Sequence, residues 1–195
     1  MKTIIFILSI FSLLIFGFDR KASSPKAAEN LKRNQVQRIY TAELGVKEKT
    51  GRNDGARVEE YLRQVNLKRG DPWCAAFVCW VLNRAGVKNP QTGWSPDLFP
   101  ARRLVWERSR ALQTNYSHQS KKQVPLPQQG DVFGIWFPDK QRIAHAGFVD
   151  RWGESWLITV EGNTNEAGSR EGDGVLRKRR LVRSVWEVSD WVKTE

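Results

Sequence analysis

The chain holds two cysteines and two histidines among 195 residues, and their placement narrows the chemistry open to it. Cys74 lies at the start of an apolar segment opened by Asp71-Pro72-Trp73. Asp71 suits a helix N-cap, Pro72 the first helical position, and Gly86 the residue just past the end. A thiol in the first turn sits among unpaired backbone N–H groups at the positive end of the helix dipole. Both favour the thiolate, and the same N–H groups can hold an oxyanion that develops beside the sulfur. Asp71 opposes this in part, by its charge and by competing for a donor. Read by itself, a cysteine in an apolar helix is a small core residue. Cys79 lies deeper in the same helix, about 7.5 Å on by helical rise, which is too far for an unstrained disulfide. It reads as a buried free thiol.

A cysteine nucleophile needs a base. His118 falls in the polar, Pro-bearing stretch from Gln113 to Gln129 and reads as a solvated loop residue. His145 falls in a strand pattern, between Ala144 and Ala146, with Ile143, Gly147 and Val149 expected on its face. A ring there must find a partner, whether backbone in a packed core or a thiol brought to it by a helix on the same sheet. An orienting group is the third requirement. Leu157, Thr159 and Glu161 share one face of the next strand, and Asn163 continues that parity past its expected end. Either Glu161 or Asn163 can accept from the imidazole and fix its tautomer; each also has a plain structural reading, as a strand end and a turn.

The elements that must position these residues are legible from periodicity. Lys26 to Leu44 is spaced loosely for a helix, and Val58, Tyr61, Leu62 and Val65 mark an amphipathic one ending near Asn66. Trp73 to Leu82 is apolar all round, so that helix should be buried. Gly86 to Pro100 reads as a loop anchored by Trp94 and Phe99, and Ala101 to Leu112 as a short helix. Strands are expected at Val132–Phe137, Ile143–Trp152, Ser155–Glu161, Val175–Val182 and Val185–Val192, with a hairpin at Gly153-Glu154. Helices first and antiparallel strands second indicate an α+β domain with its helices on one side of a sheet. The loops Gly86–Pro100 and Glu166–Gly174 are the expected walls of a pocket, and Arg177 to Arg180 reads as a solvated basic edge.

Four ordered motifs carry a family resemblance: Pro72-Trp73-Cys74-Ala75-Ala76-Phe77-Val78, Pro127-Gln128-Gln129-Gly130-Asp131-Val132, Ala144-His145-Ala146-Gly147 and Glu161-Gly162-Asn163-Thr164. Between about Ile39 and Val192 the chain resembles the CHAP domains, cysteine- and histidine-dependent amidohydrolases/peptidases of the papain-like NlpC superfamily, many of which cut peptidoglycan. The resemblance implies a papain-like fold, with Cys74 as nucleophile, His145 as base, and Glu161 with Asn163 as polar partners. Some CHAP domains carry an acidic calcium loop ahead of the cysteine. Asn66-Leu67-Lys68-Arg69-Gly70-Asp71 stands there instead. Asn53-Asp54-Gly55 also lacks the alternating carboxylates of such a loop, so neither metal nor cofactor is expected.

Composition sets the surroundings. The 32 Lys and Arg against 21 Asp and Glu leave +11, which favours a polyanionic partner or surface. Met1-Lys2 followed by the apolar run Ile4–Phe18 has the pattern of a secretory signal peptide. Residues 1–24 are therefore expected to be a signal peptide or an N-terminal anchor, and residues 25–195 the CHAP-like domain. The expected protein is secreted or periplasmic and acts on peptidoglycan, as amidase or endopeptidase, with no nucleic-acid partner. A membrane enters only through an uncleaved N-terminal segment. The alternatives are a wall- or glycan-binding module without catalysis and a cysteine-protease-type toxin with other substrates.

Overall fold

The computed structural model describes residues 24–111, 126–167 and 172–193. His118 and the expected signal peptide, apart from Ser24, lie outside the described residues. Helix α1 (Pro25–Ala42) opens on Ser24, whose hydroxyl accepts from the Ala27 N–H, and buries Val36 and Tyr40. Helix α2 (Ala56–Gln64) buries Val58, Tyr61 and Leu62. Helix α3 (Cys74–Arg84) is buried over Cys74–Leu82, as its all-apolar sequence demands. It closes as expected on Gly86, in the left-handed conformation at φ 67°. There Gly86 N–H donates to the Asn83 carbonyl and Val87 N–H to that of Leu82.

The six strands are β1 (Leu104–Glu107), β2 (Val132–Phe137), β3 (Arg142–Trp152), β4 (Trp156–Thr164), β5 (Gly174–Leu181) and β6 (Glu187–Ser189). They form one antiparallel sheet in the order β1-β6-β2-β3-β4-β5. The molecule is thus mixed α+β, with the hairpin at Gly153-Glu154 where the sequence puts it. Alternation along the strands divides the core. Val132, Phe148 and Val160 face the helices, while Phe133, Val149 and Leu157 face a second cluster closed by Trp106, Val185 and Val188.

Three expectations are corrected here. Ala101–Leu112 does not form one helix: Ala101–Arg103 is a 3-10 turn and Leu104–Glu107 becomes β1 by pairing with β6. Val185–Val192 holds only the three-residue β6, because Val185 closes a 3-10 turn and, past Ser189, the Asp190 carboxylate accepts from the Val192 and Lys193 N–H groups and turns the chain. Strand β4 runs on to Thr164, so Asn163 lies within it. Asp131 and Asp190 both pair with the buried Arg33 of α1, which ties the first helix to the sheet.

Between β3 and β4 the sheet splits. The two strands pair over Phe148–Trp152 and Leu157–Val160. Before Phe148, β3 is held by β2, and beyond Val160, β4 is held by β5. Helix α3 packs against both strands, with Trp73 and Phe77 close to Gly162 of β4 beyond the split. Gly162 makes the approach possible, since a Cβ there would lie 2.6 Å from Trp73 and 2.8 Å from Phe77. Gly147 does the same for the two strands: its Cβ would be 2.8 Å from the Val160 carbonyl oxygen and 3.0 Å from the Glu161 side chain.

Candidate active site

The segment leading into α3 fixes the thiol. Asp71 does not cap the helix: its carboxylate turns back to accept from the Lys68 N–H at 2.8 Å. Trp73 takes the capping position, with its indole N–H on Glu48 at 2.8 Å. Cys74 is consequently the first helical residue, where the expected cap at Asp71 would have made it the third. The first intrahelical bond runs from Phe77 N–H to the Trp73 carbonyl, at 2.8 Å. The N–H groups of Cys74, Ala75 and Ala76 therefore have no carbonyl within the helix to meet. Because Asp71 points elsewhere, its side chain does not compete for them.

His145 is buried in the part of β3 that β4 leaves unpaired. A register shift opposite Ile135 and Trp136 separates it from Ile143, which packs in the helix-side core rather than sharing the imidazole's surroundings. Its Nε2 lies 2.8 Å from Glu161 Oε2. An ionised carboxylate only accepts, so Nε2 carries the proton and Nδ1 is left as an acceptor when the ring is neutral or, when it is charged, as a donor. Nδ1 is buried and makes no hydrogen bond among the described residues.

Glu161 settles the alternative between the two polar candidates. Fully buried, it accepts from His145, from Thr159 Oγ1 at 2.5 Å and from both Nε and Nη2 of Arg180 at 2.5 Å each. Asn163 is turned away from the ring. With its amide oriented to satisfy its neighbours, the oxygen accepts from Trp73 N–H at 3.2 Å and the nitrogen donates to the Gly172 carbonyl at 2.8 Å. Asn163 thus pins the start of α3 and does not orient His145.

The electrostatics follow from this chain of contacts. Burial pushes the Cys74 thiol up, but the nearby His145 imidazole, helped by Ser95 and the Ala146 backbone, brings it down to about 7. Burial pushes His145 down, yet Cys74 and Glu161 raise it to about 9. Glu161 is raised by its burial and then held well below the usual carboxylate range by Arg180 and His145. Between those two limits the site holds a thiolate, an imidazolium, a carboxylate and a guanidinium in series, with no net charge. Cys79 is the contrast: burial pushes its thiol up to about 11. Its sulfur lies 3.5 Å from the Thr92 carbonyl oxygen, and it forms no disulfide.

Cys74 opens into a cleft of about 380 Å³, lined among others by Leu67, Asp71, Trp94, Ser95 and Arg142, a volume in the range that holds small ligands. The loop expected to form a wall, Gly86–Pro100, does so through Thr92–Ser95. Trp94 is not the buried anchor expected but is 51% exposed at the cleft, whereas Phe99 is buried. The described residues of the other expected wall do not line this cleft: Gly172 and Asp173 line a separate recess with Glu48 and Asn53. Residues 168–171 of that loop lie outside the described residues.

Two residues that contact the candidate site escape sequence reasoning. Ser95, whose Oγ lies 3.6 Å from Cys74 Sγ, follows Trp94 in a loop with no pattern to single it out. Arg180 belongs to the basic edge; the β4–β5 register sets it opposite Leu157, and its long side chain reaches along that face to Glu161. That edge is mixed: Arg177 pairs with Asp150, and Arg179 stacks on Trp156. Among the described residues no group of three or more His, Cys, Asp or Glu side chains is placed to hold a metal ion, and no helix is long and apolar enough to cross a membrane. The arrangement suits acyl transfer through a thiol. No family model, curated protein or solved structure matches the chain.

Proposed function

We propose that the chain is a cysteine amidohydrolase/peptidase of CHAP type that cleaves an amide bond in the peptide part of peptidoglycan. The observation that carries this reading is the relay from Arg180 through Glu161 and His145 to a thiol lowered to about 7 at the first position of α3. In the mechanism the Cys74 thiolate attacks the amide carbon. The oxyanion is received by the N–H groups of the first turn, with the Ser95 hydroxyl beside the sulfur. Imidazolium Nδ1 protonates the leaving amine, leaving a thioester. The neutral ring then takes a proton from water, and the hydroxide releases the acid and the thiol.

Glu161 holds the Nε2 proton throughout and stabilises the imidazolium, while Arg180 keeps that carboxylate ionised. The net charge of +11 favours an anionic polymer such as the wall. The signal-like N-terminus supports an exported protein in the secreted or periplasmic space. Mass spectrometry of peptidoglycan digested by the protein, with Cys74→Ala alongside, tests the reading. New fragments that need Cys74 support it, and their masses name the bond. A folded protein that releases none from several wall types overturns it.

A further inference from the structure

Arg142 opens β3 three residues before His145 and lines the same cleft as Cys74. Its guanidinium carbon lies 3.9 Å from the centre of the Trp94 ring. Nη1 donates to the Ile143 carbonyl at 3.0 Å. Those two contacts fix the plane of the group, and among the described residues it has no carboxylate partner. This distinguishes it from Arg33, Arg57 and Arg180, each of which is neutralised by buried or partly buried acids. A stacked guanidinium with free fork positions is preorganised for a planar, two-oxygen anion. The aromatic that backs it stays half exposed at the cleft, where a ligand would cover it. Besides the Cys74 thiol, the lining holds one more ionisable group, Asp71, which has one oxygen engaged by the Lys68 N–H and disfavours an anion on its own side of the cleft.

We infer that Arg142, held by Trp94, reads a free carboxylate on the substrate, so that the cleft takes amides with a carboxylate group close to the bond attacked. The inference rests on Cys74 being the nucleophile of this cleft. It narrows the substrate class from any amide to acidic peptides, of which the wall's stem peptides are one source.

Two small alkylating agents separate these claims without any hydrolytic assay. In each the Cys74 thiolate displaces iodide and forms a thioether; iodoacetate brings a carboxylate into the cleft and iodoacetamide brings its neutral amide. With Arg142→Gln the iodoacetate rate falls at least tenfold, the order of one charge-assisted pair, while the iodoacetamide rate changes less than twofold. That unchanged rate also reports that the variant is folded. Trp94→Leu, which removes the platform and keeps the charge, moves the ratio of the two rates in the same direction. Arg38→Gln, a cation lining a different recess, leaves the ratio where it was. Equal rates for the two reagents before and after Arg142→Gln overturn the inference, as does an equal loss from Arg38→Gln. If neither reagent modifies Cys74 in the parent protein, the nucleophile itself is refuted and the inference falls with it.

Discussion

Replacing Arg180 with Met removes two hydrogen bonds of 2.5 Å from a carboxylate with no exposure to water. Breaking a buried pair from one side costs about 3–5 kcal/mol, because the remaining charge is buried without compensation. The Arg180 side chain is itself 13% exposed, and Thr159 and His145 still hold Glu161, so a loss near 3 kcal/mol is expected at pH 7. Its pH dependence distinguishes this cause from lost packing. In the parent protein Glu161 is held well below the usual range. Its contribution is therefore complete above the unfolded value of about 4.3 and drains away only as pH falls through the folded one. In Arg180→Met, burial raises the folded value, so the variant's deficit is largest at neutral pH and closes as both states take up the proton. Urea unfolding at pH 7 and pH 4 measures both. A loss below about 1 kcal/mol, or one that is equal at the two pH values, refutes the assignment of Arg180 as the counter-ion of Glu161.

Further outcomes follow from the same geometry. Glu161→Gln keeps the shape of the site but loses the charge facing the imidazolium and the fixed tautomer, and lowers kcat by about 10²–10⁴-fold on wall substrate; a loss under threefold contradicts its role. The pH profile of kcat/KM is a bell whose limbs belong to the coupled pair, rising near 7 as the thiolate forms and falling near 9 as the imidazolium is lost. A single limb near 9 would mean that no thiolate–imidazolium pair forms. Gly162→Ala places a methyl 2.6 Å from Trp73, so it destabilises the fold by about 1–3 kcal/mol and lowers activity together with it. Thermal unfolding of the purified variant reads that loss.

Cys74 and His145 stood out in the sequence because their signals are local. A cysteine ahead of an apolar helix and a histidine flanked by alanines inside a strand need no knowledge of register. Helix start was less legible: Asp71 and Pro72 look like a cap and a first position, but Lys68 N–H captures the carboxylate and Trp73 is held by Asn163 and Glu48. The choice between Glu161 and Asn163 stayed open because both share a parity in β4. Asn163 adopts φ 54°, and its side chain serves the start of α3. Arg180 was hidden by distance in sequence. Strand register places it opposite Leu157 rather than Glu161, and its long side chain crosses the intervening positions to reach the carboxylate. Strand β1 was missed for a similar reason, since Leu104–Glu107 takes its structure from β6 at the far end of the chain.

Alkylation of the two cysteines by iodoacetamide, followed by peptide mass mapping between pH 6 and 10, tests the central claim most directly. Modification is expected at Cys74 with a midpoint near 7 and not at Cys79, whose buried thiol is pushed up to about 11. Cys74 that stays unreacted until pH 9, or that reacts no sooner than Cys79, would contradict an activated nucleophile at the start of α3.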